Sequence, residues 1–201
     1  MVARRASIAN SAVATGRGDD GTTGLLFGGR IAKDDPLTDA YGTVDEAVAA
    51  LGVARASLTA GGLQELAELI LRYQRDLFVV GAELATNPTA RERLQDGVTR
   101  VSEEMLERVE SDLANWESDV TMPREFVVPG ETAASAALEV ARTVLRRAER
   151  RMIAVLSSGK LSSEWLVPYV NRLADLIWVL ARAAEQAEHA SPTAARVRAP
   201  S

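Results

Sequence analysis

The amino-acid sequence predicts an all-α protein, a five-helix bundle. Apolar residues recur at the three- and four-residue spacing of amphipathic helices over five long stretches of the 201-residue chain. Alanine, leucine, valine, glutamate and arginine are abundant and aromatic residues make up only 4%, a composition that favours helices over a β-sandwich or barrel. Glycine and proline cluster between the stretches, where they separate one helix from the next.

The first two predicted helices cover residues 38–58 and 63–85 and are separated by a Gly-Gly pair. Thr38 or Asp39 is suited to cap the first helix, because a short polar side chain accepts a hydrogen bond from the free amides of the first turn. The second helix has apolar residues at helical spacing along its whole length and ends at an Asn-Pro pair. We expect it to lie at the centre of the core.

The other three predicted helices follow at similar lengths. The third covers 98–116, and a linker with two prolines follows at 118–129. Thr132 is suited to cap the fourth helix, which ends before a glycine near 157–159. The fifth helix covers 163–189.

The composition excludes several classes of function. A net charge of -5 provides no positive field for a nucleic-acid backbone. The chain has no cysteine and one histidine, His189, so it lacks the material for a thiolate nucleophile, a zinc site or a serine-histidine-aspartate triad. No apolar run approaches the roughly 20 residues that cross a bilayer. We therefore expect neither a nucleic-acid partner nor a membrane partner.

One domain at 15–189 is predicted, with a disordered tail at 1–14 and a frayed tail at 190–201. The first tail is basic and contains serine but has no secretory apolar region, so organelle targeting stays open. A cytoplasmic protein is the simpler interpretation, and the absence of cysteine is compatible with a reducing compartment.

The fourth helix carries a charged stripe beside its apolar face. Arg142, Arg146 and Glu149 fall within an arc of about 60° when each residue turns the helix by about 100°. Arginine presents a planar fork to phosphate oxygens, so the stripe is typical of a polyanion site. A solvated helix face with Glu/Arg pairs has the same pattern, and the spacing leaves both interpretations open.

A glycine- and threonine-rich segment, TGRGDDGTTG at 15–24, precedes the first helix. Closely spaced glycines allow backbone amides to converge on an anion, and threonine hydroxyls add donors. Lys33 follows and can add a positive charge to the same anion. The spacing matches neither a Walker A nor a Rossmann motif, and an ordinary flexible loop has the same composition.

Together these segments resemble the PduO-type ATP:cob(I)alamin adenosyltransferases, from about residue 15 to residue 182. Several ordered blocks carry the resemblance, and together they are a stronger indication than any one of them. The blocks are TGRGDDGTTG at 15–24, KDDP at 33–36, YGTVDE at 41–46, FVVPG at 126–130, RTVLRRAER at 142–150 and NRLAD at 171–175.

The resemblance implies a homotrimer of five-helix bundles with ATP bound at each subunit interface. The N-terminal loop of one subunit and the fourth and fifth helices of its neighbour would hold the nucleotide, with Mg²⁺ on the phosphates rather than on a metal site of the protein. Cobalamin would be the second substrate. The residues implied around the nucleotide are Thr15, Gly18, Asp19, Gly21, Thr22, Thr23, Lys33, Arg146, Glu149 and Asn171.

The resemblance also implies four residues at the reaction centre. Asp45 would pair with Arg142 across the interface near the corrin ring, and Phe126 would press on the lower face of the ring and exclude an axial ligand. Cob(I)alamin itself would attack the 5′ carbon of ATP, giving adenosylcobalamin and triphosphate, while Arg146 stabilises the leaving group. A reductase and an adenosylcobalamin-dependent enzyme are the further partners implied.

The sequence departs from the family pattern at several positions. Gly16 and Arg17 stand where the family usually has a basic residue followed by threonine. At four further positions the chain has Glu131 where the family has glycine, Glu139 where it has histidine, Ala174 where it has serine and Trp178 where it has phenylalanine. Additional negative charge at Glu131 and Glu139 is expected to weaken the binding of corrinoid or phosphate.

Two other functions stay open. A carrier or chaperone of the same fold would bind ATP and corrinoid without releasing triphosphate. A structural bundle would use the charged stripe only to join subunits, so that replacing Arg146 would alter assembly and no ligand property.

Overall fold

The computed structural model describes residues 11–161 and 163–196, and helices dominate this part of the chain. The helices are α1 (Pro36–Ala60), α2 (Gln64–Leu84), α3 (Glu103–Asp119), α4 (Ala133–Ser157) and α5 (Leu166–Ala187), with a 3-10 helix at Pro88–Arg93. Two antiparallel pairs of short strands complete the fold, β1 (Thr22–Gly24) with β2 (Arg30–Ala32), and β3 (Val127–Val128) with β4 (Thr193–Ala194). The prediction of a mainly helical protein is confirmed, whereas the strands were not predicted.

Helix α4 lies between two other long helices. It packs against α1 on one side and α5 on the other, while α1 also packs against α2 and α5 against α3. Helix α2 packs mainly on α1, so the prediction that the second helix lies at the centre of the core is wrong. The inner face of α4 is rich in alanine, which allows the neighbouring backbones to approach closely. Its fully buried apolar residues include Ala134, Ala141, Leu145, Ala148 and Met152. Burial of this face fixes the rotation of α4, so its polar stripe points away from the core.

The N-terminus of α4 has the predicted cap. The Thr132 hydroxyl accepts a hydrogen bond from the Ser135 amide at 3.1 Å, and Ser135 Oγ accepts one from the Thr132 amide at 3.3 Å. Gly130 precedes the cap with a φ of 129°, a backbone conformation that favours glycine. The Pro-Gly turn and the threonine together start the helix that carries the charged stripe.

Two predicted helix starts are wrong. Helix α1 begins earlier than predicted, because Asp35, and not Thr38 or Asp39, accepts a hydrogen bond from the Leu37 amide, and a proline occupies the first turn. Helix α3 begins at Glu103, five residues later than predicted. The chain before it stays irregular because the amide of Val101 donates to the buried carboxylate of Glu83 at 2.8 Å.

Part of the segment predicted to be a frayed C-terminal tail forms a short strand. Thr193 and Ala194 form β4 and pair with β3, in the linker before α4. Residues 1–10 and 197–201 of the two predicted tails lie outside the described residues. No helix in the described ranges is both long enough and apolar enough to cross a bilayer.

We expect Thr132→Ala to lower the free energy of unfolding by about 1 kcal/mol, because the first turn of α4 loses its capping hydroxyl. Urea unfolding followed by circular dichroism measures the difference. Thr143→Ala is the matched control, since it removes a hydroxyl that bonds only the Val140 carbonyl within the same helix. Equal losses in both variants would contradict the capping role.

Candidate active site

Helices α4 and α5 run antiparallel, and the polar residues between them form a groove. Asn171 Nδ2 on α5 donates a hydrogen bond to Glu149 Oε1 on α4 at 2.9 Å. Towards the other end of the pair, Arg182 on α5 lies 3.5 Å from the Glu139 carboxylate on α4. We call the surface between these two contacts the α4–α5 groove.

Two cavities open on the α4–α5 groove. One, of about 450 Å³, is lined in part by Arg146, and the other, of about 420 Å³, is lined in part by Phe126 and Glu139. Arg142 and Trp178 line both cavities, which are therefore adjacent. The site offers aromatic surface at one end and guanidinium groups beside it, so it suits a ligand with a large ring and a polyanion.

Arg146 is the exposed guanidinium of this groove. Within the described ranges it makes no ion pair, whereas the arginines before and after it on α4 are paired. Arg142 Nε donates to Glu139 at 2.7 Å, and Arg147 pairs with Glu46 of α1. The positive charge of Arg146 is thus available to an anionic ligand.

Phe126 projects from the linker before α4. Its side chain is 87% exposed, although it lines the cavity that contains Glu139 and Trp178. The backbone on which it stands is held by β4, since the Ala195 amide donates to the Phe126 carbonyl at 2.7 Å. Because it is exposed beside a cavity, the Phe126 ring is accessible to a ligand or a partner.

The predicted nucleotide loop folds as a β-hairpin with an irregular segment before it. Strands β1 and β2 pair with Thr22 opposite Ala32. Lys33 reaches back to this segment, where its Nζ donates to the Gly18 carbonyl at 2.7 Å. A Cβ added at Gly18 would lie 2.8 Å from Lys33 Nζ, so glycine allows this close approach. Gly21 has a φ of 80°, which favours glycine at the turn into β1.

Arg30 organises the same loop, and sequence reasoning missed it. Its Nε donates to the Thr22 hydroxyl at 2.7 Å, and its Nη2 lies 3.3 Å from Asp20. Hydrogen bonds from the Thr22 hydroxyl and amide, with the charge of Arg30 added, lower the pKa of the Asp20 carboxyl. The Gly-Gly turn before Arg30 was a signal of a hairpin that would bring this arginine back onto the loop.

The loop and the α4–α5 groove have separate sets of polar contacts among the described residues. Among the described residues, no hydrogen bond or ion pair joins residues 15–33 to Arg142, Arg146, Glu149 or Asn171. The structure therefore brings the predicted site residues together as two groups.

Asp45 belongs to neither group. It is exposed on α1, and within the described ranges its carboxylate makes no hydrogen bond or ion pair. Arg142 instead pairs with Glu139 in its own helix. The sequence could have indicated that pair, because residues three apart on a helix are neighbours.

A family model described as cobalamin adenosyltransferase matches residues 13–184 of the chain. The chain belongs to this family. A corrinoid adenosyltransferase from Citrobacter freundii is 42% identical to this chain over 171 residues. One from Mycobacterium tuberculosis (strain ATCC 25618 / H37Rv) is 38% identical over 172 residues. These alignments cover 85% of this chain in both cases, and 93% and 86% of the relatives. The resemblance to PduO-type corrinoid adenosyltransferases is confirmed, and the chain is an enzyme of that type.

Solved structures of PduO-type ATP:corrinoid adenosyltransferases from Lactobacillus reuteri have the same fold. An arginine-to-lysine variant complexed with ATP gives a TM-score of 0.80 at 28% identity, covering 92% of this chain and 100% of that chain. A phenylalanine-to-histidine variant complexed with cobalamin and ATP gives a TM-score of 0.80 at 29% identity, covering 92% and 96%. Membership in the family therefore rests on sequence and fold together.

We expect Ala195→Pro to loosen the backbone around Phe126 in this adenosyltransferase family member, because proline removes the amide that donates to the Phe126 carbonyl. Hydrogen exchange of the amides at 126–128 should become faster. Ala195→Val is the control, since it keeps the amide and favours extended backbone. Unchanged exchange in the proline variant would show that β4 does not restrain this linker.

Proposed function

We propose that the protein transfers the 5′-deoxyadenosyl group of ATP to cob(I)alamin, forming adenosylcobalamin and releasing triphosphate. The observation that carries this proposal is the Arg146 guanidinium, which makes no ion pair in the described part of the chain and lies in a groove whose adjacent cavities are also lined by Phe126 and Trp178. A polyphosphate and a large ring can lie side by side there. The names of the related proteins, which act on corrinoids and were solved with ATP and cobalamin, support the choice of ligands.

The nucleotide is proposed to bind between the loop of one subunit and the α4–α5 groove of the next, in a homotrimer. An interface site is favoured because neither group is a complete site for ATP, and among the described residues no hydrogen bond or ion pair joins the two groups. Asp45 is proposed to form its ion pair with Arg142 of a neighbouring subunit, since it is exposed and has no ion pair within residues 11–161 and 163–196. Closed cyclic symmetry gives three equivalent sites in such an assembly.

The loop is proposed to hold the phosphates through backbone amides, hydroxyls and Lys33. Residues 15–24 provide glycine amides and threonine hydroxyls, and the Arg30 contacts with Thr22 and Asp20 keep that segment folded. Lys33 Nζ is proposed to move from the Gly18 carbonyl to a phosphate oxygen, because an ammonium gains more from an anion than from a neutral acceptor. The proposed loop contacts are Thr15, Gly18, Asp19, Gly21, Thr22, Thr23 and Lys33.

Magnesium is proposed to enter on the triphosphate. Mg²⁺ prefers oxygen ligands and usually binds phosphates together with one or two carboxylates. The exposed Asp19 carboxylate of the loop has the right chemistry to approach that ion. Bound there, Mg²⁺ would neutralise part of the charge that develops on the leaving triphosphate.

The ribose end of the nucleotide is proposed to lie along the groove. Glu149 and Asn171, joined by their 2.9 Å hydrogen bond, present an acceptor and a donor to the nucleoside. Arg146 then lies on the same stripe of α4, one turn closer to the cavity lined by Phe126 and Glu139, which is the proposed corrinoid cavity. This order places the 5′ carbon of the ribose towards that cavity.

The reaction needs no nucleophile from the protein. The electron pair of Co(I) forms the new cobalt-carbon bond as the bond from the 5′ carbon to triphosphate breaks, and a separate reductase is proposed to supply the electron that converts Co(II) to Co(I). Arg146 is proposed to stabilise the departing triphosphate. Phe126 is proposed to cover the lower face of the corrin ring and exclude water, which favours the reduced metal.

The partner that receives the product is proposed to be an adenosylcobalamin-dependent enzyme. The protein is proposed to act in the cytoplasm. Adenosylcobalamin is a cofactor for radical chemistry on other proteins, so its synthesis must be followed by transfer. The absence of cysteine in the chain suits a reducing compartment.

We expect Arg146→Ala to lower kcat by about 100-fold or more, because one preorganised donor to the leaving group is lost. The assay supplies cob(II)alamin, a strong reductant and Mg-ATP, and follows the adenosylcobalamin spectrum and triphosphate release. Arg150→Ala is the matched control, since it removes an exposed arginine one turn away whose guanidinium bonds only the Arg146 carbonyl.

Binding of ATP and cobalamin by the wild-type protein with no triphosphate released would overturn the proposed reaction and favour a carrier. If Arg146→Ala changed only the oligomeric state, the stripe would have a structural role instead.

We expect Lys33→Ala and Arg146→Ala subunits, each nearly inactive alone, to regain activity when refolded together. A mixed trimer contains interfaces where an intact loop meets an intact groove. Random mixing in equal amounts makes roughly one quarter of the interfaces intact, so roughly a quarter of wild-type activity should return. A site within a single chain would give no recovery.

A further inference from the structure

A buried cluster of charged residues lies at the Phe126 end of the α4–α5 groove. Glu139 is 3% exposed, Arg182 is 2% exposed and Glu185 is 1% exposed. With the partly buried Arg142, the cluster contains two carboxylates and two guanidiniums, so its formal charges cancel. The negative charge of Glu139 was expected to weaken ligand binding. In this cluster that charge is already paired with two arginines before any ligand binds.

The two carboxylates of the cluster have different partners. Glu139 Oε2 accepts a hydrogen bond from Arg142 Nε at 2.7 Å, and Glu139 Oε1 lies 3.5 Å from Arg182. Glu185 accepts a hydrogen bond from Arg182 at 2.8 Å and makes no contact with Arg142. Among the described residues, Glu139 is therefore the carboxylate that links the buried Arg182 to Arg142, which lines both cavities.

The contact to Nε determines which edge of the Arg142 guanidinium stays available. A guanidinium has five N–H groups in one plane, and Nε lies on its inner edge. Glu139 occupies Nε, while among the described residues no hydrogen bond or ion pair is made by the two terminal nitrogens of Arg142. Those nitrogens can bind a second carboxylate or a polar substituent of a ligand with the side chain already oriented.

The burial of Glu139 restricts the orientation of the Arg142 side chain. A charged pair on an open helix surface is screened by water and gains little, and its long side chains move between rotamers. Glu139 is 3% exposed within this cluster, and the Trp178 ring lies 5.7 Å from the Arg182 guanidinium carbon. The three-residue separation on α4 keeps the carboxylate and Arg142 on the same side of the helix.

We propose that Glu139 is a positioning residue for corrinoid binding, because it holds Arg142 in the orientation that completes the corrinoid cavity. This inference rests on the proposed function, and it assigns a role to a residue at which the sequence departs from the PduO-type pattern. Glu139 does not touch the reacting atoms. It fixes the direction of the Arg142 guanidinium in advance. Binding of the corrinoid and the neighbouring subunit then does not bear the entropy cost of ordering this side chain.

The test compares Glu139→Gln with Glu185→Gln. Both variants remove one buried carboxylate charge from Arg182, so they should lose similar thermal stability, but only Glu139→Gln weakens the contact to Arg142. We expect Glu139→Gln to raise the KM for cobalamin and the Kd for cob(II)alamin roughly tenfold, with the KM for ATP within about twofold of wild type. Glu185→Gln should leave all three values within about twofold.

A double-mutant cycle keeps the inference testable if Glu139→Gln is unstable. Arg142→Lys keeps the positive charge but removes the Nε donor, so it should raise the Kd for cob(II)alamin while the Glu139–Arg182 contact remains. Adding Glu139→Gln to Arg142→Lys should then weaken corrinoid binding by less than about twofold further, since coupled residues are not additive.

The outcomes separate this inference from the function on which it rests. Wild-type protein that makes no adenosylcobalamin would overturn the proposed function. Active wild-type protein, combined with equal cobalamin KM values for Glu139→Gln and Glu185→Gln or with additive effects in the cycle, would overturn the positioning role alone.

Discussion

The burial of one face of α4 between α1 and α5 is the constraint on which the candidate site depends. Ala141, Leu145 and Ala148 are fully buried there, so the helix cannot rotate without exposing apolar surface or forcing charges into the core. The small alanine side chains also bring the three helices close together. As a result, the stripe with Arg142 and Arg146 is directed along the groove with α5.

The arginines of α4 are distinguished by their partners and not by their sequence spacing. Arg147 and Arg151 pair with Glu46 and Asp39 and join α4 to α1. Arg142 is held by a buried carboxylate, whereas Arg146 makes no ion pair among the described residues. The arginines on the side of α4 that faces α1 thus join the two helices, because α1 supplies acidic partners there. The arginines on the side that faces α5 line the groove.

The short strands show how segments without helical pattern contribute to the site. Strands β1 and β2 fold the glycine-rich segment into a hairpin that Arg30 and Lys33 tie together. Strand β4 comes from beyond α5 and restrains the linker that carries Phe126. These strands have two or three residues each, too few for an alternating pattern to be recognised, so tertiary contact was needed to identify them.

The sequence by itself determined the helical class, the approximate helices, the cap at Thr132 and the stripe of Arg142, Arg146 and Glu149. These features follow from local rules, since helical periodicity and capping depend on residues within a few positions of one another. The tertiary structure alone decided that Glu139 meets Arg182 and that β4 pairs with β3. Such contacts join residues far apart in sequence, and their geometry is set by how the helices pack.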